Sequence, residues 1–89
     1  MDAVDPALVD QAERTLRTTP GVRDVRELRI RWIGHTLRAE ADIVVDPELS
    51  LADAHDLAHH AERHLLAQVG RLSAAAIHTS PTGYHPEAV

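Results

Sequence analysis

Apolar residues recur along this chain with two periods, and the period switches three times. Leu8, Val9, Ala12 and Leu16 return every three or four residues, the repeat of one helix face. Asp5 before Pro6 supplies the start of that helix. It places a side-chain acceptor at the N-cap, then a residue whose φ is already helical. Thr18-Thr19-Pro20-Gly21 ends the run, because proline cannot continue the hydrogen-bond ladder and glycine permits the turn. The period then drops to two. Leu28, Ile30 and Trp32 fall on one face of a strand, and Arg29 and Arg31 on the other. Val22 and Val25 break that parity, which predicts an irregularity near Arg26. After a turn at Gly34-His35, Leu37, Ala39, Ala41, Ile43 and Val45 share one side of a second strand. Arg38, Glu40, Asp42 and Val44 take the other, so the pair forms a β-hairpin with one wet face.

Asp46-Pro47 stops the second strand, and Ser50 is an N-cap with Asp53 in the first turn that follows. Ala54, Leu57, Ala58, Ala61 and Leu65 make the core stripe of a helix running to about Val69. At 100° per residue His55, His59 and Glu62 share one flank of it, and His60 and His64 the opposite flank. Gly70 ends this helix. A last strand over about Leu72–Thr79 has Ala75 and Ile77 on one face and Ala76, His78 and Ser80 on the other. The order α-β-β-α-β predicts an α+β, two-layer sandwich: a three-stranded sheet with two helices on one face. Residues 1–89 are read as a single domain, with an ordered core over about 6–82 and a loose tail over 83–89.

Composition narrows the function. The formal charge of -5 and a sheet without stacking aromatics argue against nucleic acid. No cysteine is present, so any metal site must use nitrogen and oxygen donors. No apolar run approaches the ~20 residues of a membrane span, and no signal peptide stands at the start. The chain is therefore expected to be soluble and cytoplasmic, either alone or as part of a larger membrane protein. Ser50, Ser73 and Ser80 lack a nucleophile motif and the glycines form no phosphate loop, so no enzyme is expected.

Seven histidines in 89 residues make metal binding the first chemistry to consider. Asp42 and His78 both point to the uncovered sheet face by parity, as ligands or as ordinary solvated side chains. Imidazole nitrogen and carboxylate oxygen suit Zn²⁺, and equally Co²⁺, Ni²⁺, Cu²⁺ or Fe²⁺. His55 and His59 are an i, i+4 pair able to chelate one cation, or simply a His-rich flank. Glu40 is a further carboxylate candidate, or a cross-strand partner of Arg29 or Arg31. His60 and His64 read as surface residues, His35 as a turn residue and His85 as part of the tail. Trp32 faces the core by parity. Because imidazole must be neutral to bind, metal affinity is expected to weaken as pH falls through about 6.5.

The chain resembles the cytoplasmic C-terminal domain of cation diffusion facilitator (cation efflux) transporters over about residues 6–82. The resemblance rests on Pro20-Gly21-Val22, Leu28-Arg29-Ile30-Arg31 with Gly34, Asp46-Pro47-Glu48-Leu49-Ser50-Leu51, Ala54-His55, and Ile77-His78 before Pro81. It implies a ferredoxin-like, metallochaperone-like domain that forms a homodimer beneath the membrane domain of a proton-coupled transporter. Cations, zinc foremost and in some members Fe, Mn, Co or Ni, would bind near the dimer interface and favour the transport-competent state. His55 and His78 match ligand histidines of the family. Asp42 stands where zinc-binding members often have histidine and some iron-related members have aspartate. Arg26 and Ser80 stand where other members carry a ligand histidine and an acidic ligand. The surviving set is Asp42, His55 and His78, with His59 and Glu40 behind them. The expected function is regulatory dimerisation and divalent-metal sensing; the alternative is a free-standing metal-binding or protein-docking module of the same fold. Metal-free, the Asp42 and Glu40 regions of two protomers are expected to repel each other.

Overall fold

The computed structural model describes residues 3–83. The expectations for residues 84–89, including His85 and most of the loose tail, lie outside the described residues. The element order is α1 (Pro6–Arg17), β1 (Asp24–Ile33), β2 (Thr36–Val45), α2 (Leu51–Gln68) and β3 (Leu72–Pro81). The sheet runs β1-β2-β3, with β1 antiparallel and β3 parallel to β2. A parallel neighbour needs a crossover, and α2 supplies it. This is the predicted two-layer arrangement, with β2 at the centre of the sheet.

Local signals act where the residues place them. Asp5 Oδ1 accepts from the Ala7 N–H at 2.9 Å, and Pro6 opens α1. Ser50 Oγ accepts from the Asp53 N–H at 3.0 Å and opens α2. Gly21 turns the chain with φ at +94°, a conformation costly for any side chain. The parity break before Leu28 is a β-bulge between Val25 and Glu27, with Arg26 as its extra residue. From Glu27 onward each β1 residue has its partner on β2, and Arg29 stands opposite Glu40.

The inner face of β2 is the floor of the core. Leu37, Ala39, Ala41, Ile43 and Val45 are all buried, against Ala12 and Leu16 of α1 and Ala61 and Leu65 of α2. Alanines at facing positions let both helices sit close to the sheet, which suits a core almost without aromatics. Trp32 is only partly buried, and the Arg71 guanidinium lies 5.4 Å from its ring centroid. An ion pair at 2.7 Å between Arg17 and Asp24 fastens the end of α1 to the start of β1. The hydrogen bond from Arg17, then that from the Val25 N–H, holds the Asp24 carboxyl below its ordinary range. That small contribution is present at neutral pH and is lost as acid protonates Asp24 in the folded state.

His64 departs from the surface position expected of it. Its Nδ1 lies 2.9 Å from Thr19 Oγ1, in a half-buried contact between α2 and the turn that follows α1. Thr19, only 2% exposed, already donates its hydroxyl proton to the Thr15 carbonyl at 2.9 Å. It therefore accepts from His64, which carries its proton on Nδ1. Thr19→Val removes both bonds while keeping the volume. It is expected to lower stability by about 1–2 kcal/mol, read as a lower urea midpoint with an unchanged slope.

Candidate metal site

Central-strand geometry brings Asp42 and His78 together. They are register partners on β2 and β3, so both project from the sheet face the helices leave open. Asp42 is three-quarters buried at its side chain and held from two sides. Ser80 Oγ lies 2.8 and 3.1 Å from its two oxygens, donating across the carboxylate. Arg26, displaced by the bulge, places Nη1 3.7 Å from Oδ2. A carboxylate has about four lone-pair positions, so these contacts leave room for another ligand. Asp42 thus has Arg26 beside it, while Arg29, opposite Glu40 in register, gives its guanidinium to Glu27 at 2.6 Å.

His55 arrives from the first turns of α2. It lines an open cleft of about 650 Å³ with Leu51, Asp56, Ile77 and His78, between α2 and the outer edge of β3. A smaller concavity of about 170 Å³ joins His78 to Glu40, Glu27 and Arg29. His78 thus borders both spaces, with Asp42 beside it in register and Glu40 two residue pairs away. His59 sits one turn beyond His55, its Nε2 3.0 Å from that of His55.

The donor chemistry fits a borderline divalent cation, which accepts imidazole nitrogen and carboxylate oxygen. Among the described residues no three His, Asp or Glu side chains within one protomer converge to hold an ion. The fit therefore needs donors from a second chain, or water. The cleft offers a surface for that chain: β3 is an edge strand, and Leu51 on the rim is 91% exposed.

The contact of Ser80 with Asp42 is what sequence reasoning missed. Judged as a ligand position Ser80 looks vacant, since a hydroxyl is a poor substitute for an acid. In the structure it is 7% exposed and orients the carboxylate beside it. The signal available was parity: Ser80 shares the face of His78 and Asp42. No helix of the described residues is long and apolar enough to cross a membrane.

Residues 4–82 match the family described as cation efflux protein, cytoplasmic domain. A probable cation efflux system protein of Mycobacterium tuberculosis is 53% identical over 81 residues, covering 91% of this chain and 24% of its own length. The magnetosome protein MamM of Paramagnetospirillum magneticum is 37% identical over 71 residues, 80% of this chain and 21% of MamM. The chain thus spans about a quarter of the length of the curated relatives it matches. Among solved structures, a MamM C-terminal-domain variant in its nickel form superposes with a TM-score of 0.83 at 25% identity. That match covers 86% of this chain and 98% of the other. A cadmium form of another variant superposes at 0.81 with 27% identity, covering 84% of this chain and 94% of that one.

Proposed function

Because this chain belongs to the family of cation efflux protein cytoplasmic domains, we propose that it senses divalent metal by dimerising and so regulates a proton-coupled transporter. The observation that carries the reading is the side-by-side register of Asp42 and His78 on the open sheet face, with His55 on the same cleft as His78. Asp42, His55 and His78 would hold the ion, with Glu40 and His59 as outer contributors, and donors from the second protomer would complete the shell. Zinc is the first cation to test; nickel, copper and cadmium are the ions named for variants of the MamM domain. The bound ion supplies positive charge and a bridge between protomers. Ser80 keeps the Asp42 carboxylate aimed outward, and Arg26 neutralises it when no ion is present. Only a difference in affinity between the open and closed dimer shifts that equilibrium. Transport, proton coupling and the membrane partner belong to the longer proteins that carry this domain.

Sedimentation equilibrium of the 89-residue chain tests the reading. Zinc at micromolar excess is expected to tighten the dimer, and chelation to reverse it. A dimerisation constant indifferent to zinc would remove the sensing role.

Arg26 offers a sharper check. Its guanidinium occupies the field of the carboxylate that the cation needs. Arg26→Gln removes that competitor and keeps a polar side chain at the bulge. A part-exposed ion pair is worth up to ~1 kcal/mol, so zinc affinity is expected to rise about 5-fold. Calorimetric titration measures it; a fall in affinity would show that Arg26 supports the site rather than competing with it.

A further inference from the structure

The two flanks of α2 carry the same i, i+4 histidine spacing but different geometry. On one, His60 and His64 stand with ring centroids 6.4 Å apart, and His64 Nδ1 is taken by Thr19. On the other, His55 and His59 meet edge to face, with centroids 4.4 Å apart and their Nε2 atoms 3.0 Å apart. The Glu62 carboxylate lies 3.4 Å from the other ring nitrogen of His59. The His55, His59 and Glu62 side chains border a small concavity of about 110 Å³ floored by Ala58 and Ile77.

From this arrangement we propose that His55 and His59 form a separate cation chelate within one protomer, with Glu62 positioning His59. Two imidazole nitrogens about 2.0–2.1 Å from a tetrahedral ion stand about 3.3 Å apart, and two at right angles on a tetragonal ion about 2.9 Å. The observed 3.0 Å lies between these values, so the spacing suits Ni²⁺, Cu²⁺ or Zn²⁺ once each ring turns its Nε2 lone pair toward the ion. Protonation fits as well. Glu62 favours a proton on His59 Nδ1, which leaves His59 Nε2 as an acceptor and His55 Nε2–H as the donor to it. An entering cation takes the place of that one shared proton, and His55 moves its proton to Nδ1. His59 is about half exposed, so a hydrated ion reaches the pair from solvent and water fills the remaining positions.

The chelate takes His55 and the outer contributor His59 of the dimer-bridging site, and it does not rest on that site. Since His55 has one Nε2, the helix pair and the cleft beside His78 compete for the same nitrogen. An ion held by His55 and His59 is thus withheld from the interface. The helix site would act as a single-protomer receiver that competes with bridging.

Ni²⁺ titrated into the 89-residue chain carrying Asp42→Asn and His78→Gln isolates the proposed site from the interface. This double variant is expected to bind one Ni²⁺ per chain without a change in oligomeric state. Paramagnetic perturbation of amide signals should be greatest over residues 55–62. Adding His59→Gln should weaken that binding at least 10-fold, and adding Glu62→Gln about 10-fold, as for loss of a carboxylate behind a ligand histidine. A double variant that binds no Ni²⁺, or a His59→Gln form that binds as tightly as its parent, would overturn the chelate. An unchanged affinity in Glu62→Gln would overturn the positioning role. Failure of zinc to alter the wild-type dimer is a separate result and bears on the bridging reading alone.

Discussion

His78→Ala is expected to abolish zinc-linked dimerisation while leaving the fold intact. His78 is exposed, so its removal opens no cavity, and circular dichroism should be unchanged. The side chain borders both the α2 cleft and the Glu40 concavity, and it is the register neighbour of Asp42. No other described side chain occupies that junction. Loss of even an outer partner of a ligand costs 10–100-fold in metal affinity, and loss of a ligand is expected to cost at least about 100-fold. Sedimentation equilibrium is the proper readout, because total metal bound would also count ions on the helix flank. The zinc-dependent shift in the dimer constant should vanish in His78→Ala and persist in His35→Ala, where the changed residue is an exposed turn histidine. Equal shifts in wild type and His78→Ala would take His78 out of the site.

Leu65→Ala should have the largest effect on stability. Leu65 is fully buried in the cluster formed by α1, α2 and β2. Several members of that cluster are alanines at 39, 41, 12 and 61, with no side-chain torsions to swing into a vacated space. The cavity should therefore stay largely open, at a cost of about 3 kcal/mol. For a domain of this size that lowers the melting temperature by roughly 12–24 °C. It is also a large share of a total stability of about 5–10 kcal/mol. Leu65→Met preserves the volume and should lose less than ~1.5 kcal/mol. A thermal melt of the three proteins decides it, and a small loss in Leu65→Ala would mean that the core collapses around the gap.

The two predictions draw on parts of the molecule that differ in how readable they were. The stripe around Leu65 follows from a 3.6-residue period, and the strand face from Leu37 to Val45 from a period of two. Both reflect backbone geometry and survive any tertiary arrangement. Even the bulge at Arg26 was visible as a broken parity. Its consequence was not: nothing along the chain says that the displaced guanidinium comes to rest beside Asp42. The match to the cytoplasmic-domain family over residues 4–82 bears out the resemblance carried by the sequence motifs. It leaves the ion-binding set a proposal.

His64 and Ser80 show the same division from the other side. Helical periodicity put His64 on a flank, and a flank reads as solvent. The turn after α1 made that flank an interface by bringing the Thr19 hydroxyl within 2.9 Å. Ser80, read alone, is a missing acid; beside Asp42 it is a donor.

The amino-acid order alone determined the five elements, the residues that cap the start of both helices and the apolar face of each strand and helix. These depend on dihedral preferences and on contacts a few residues apart. Tertiary structure alone decided that Asp42 and His78 are register neighbours, that His55 lines a cleft with His78, and that one histidine pair closes to 3.0 Å while the other stays apart. Those choices depend on strand register, on the crossover of α2 and on side-chain surroundings from distant segments, which local periodicity does not encode.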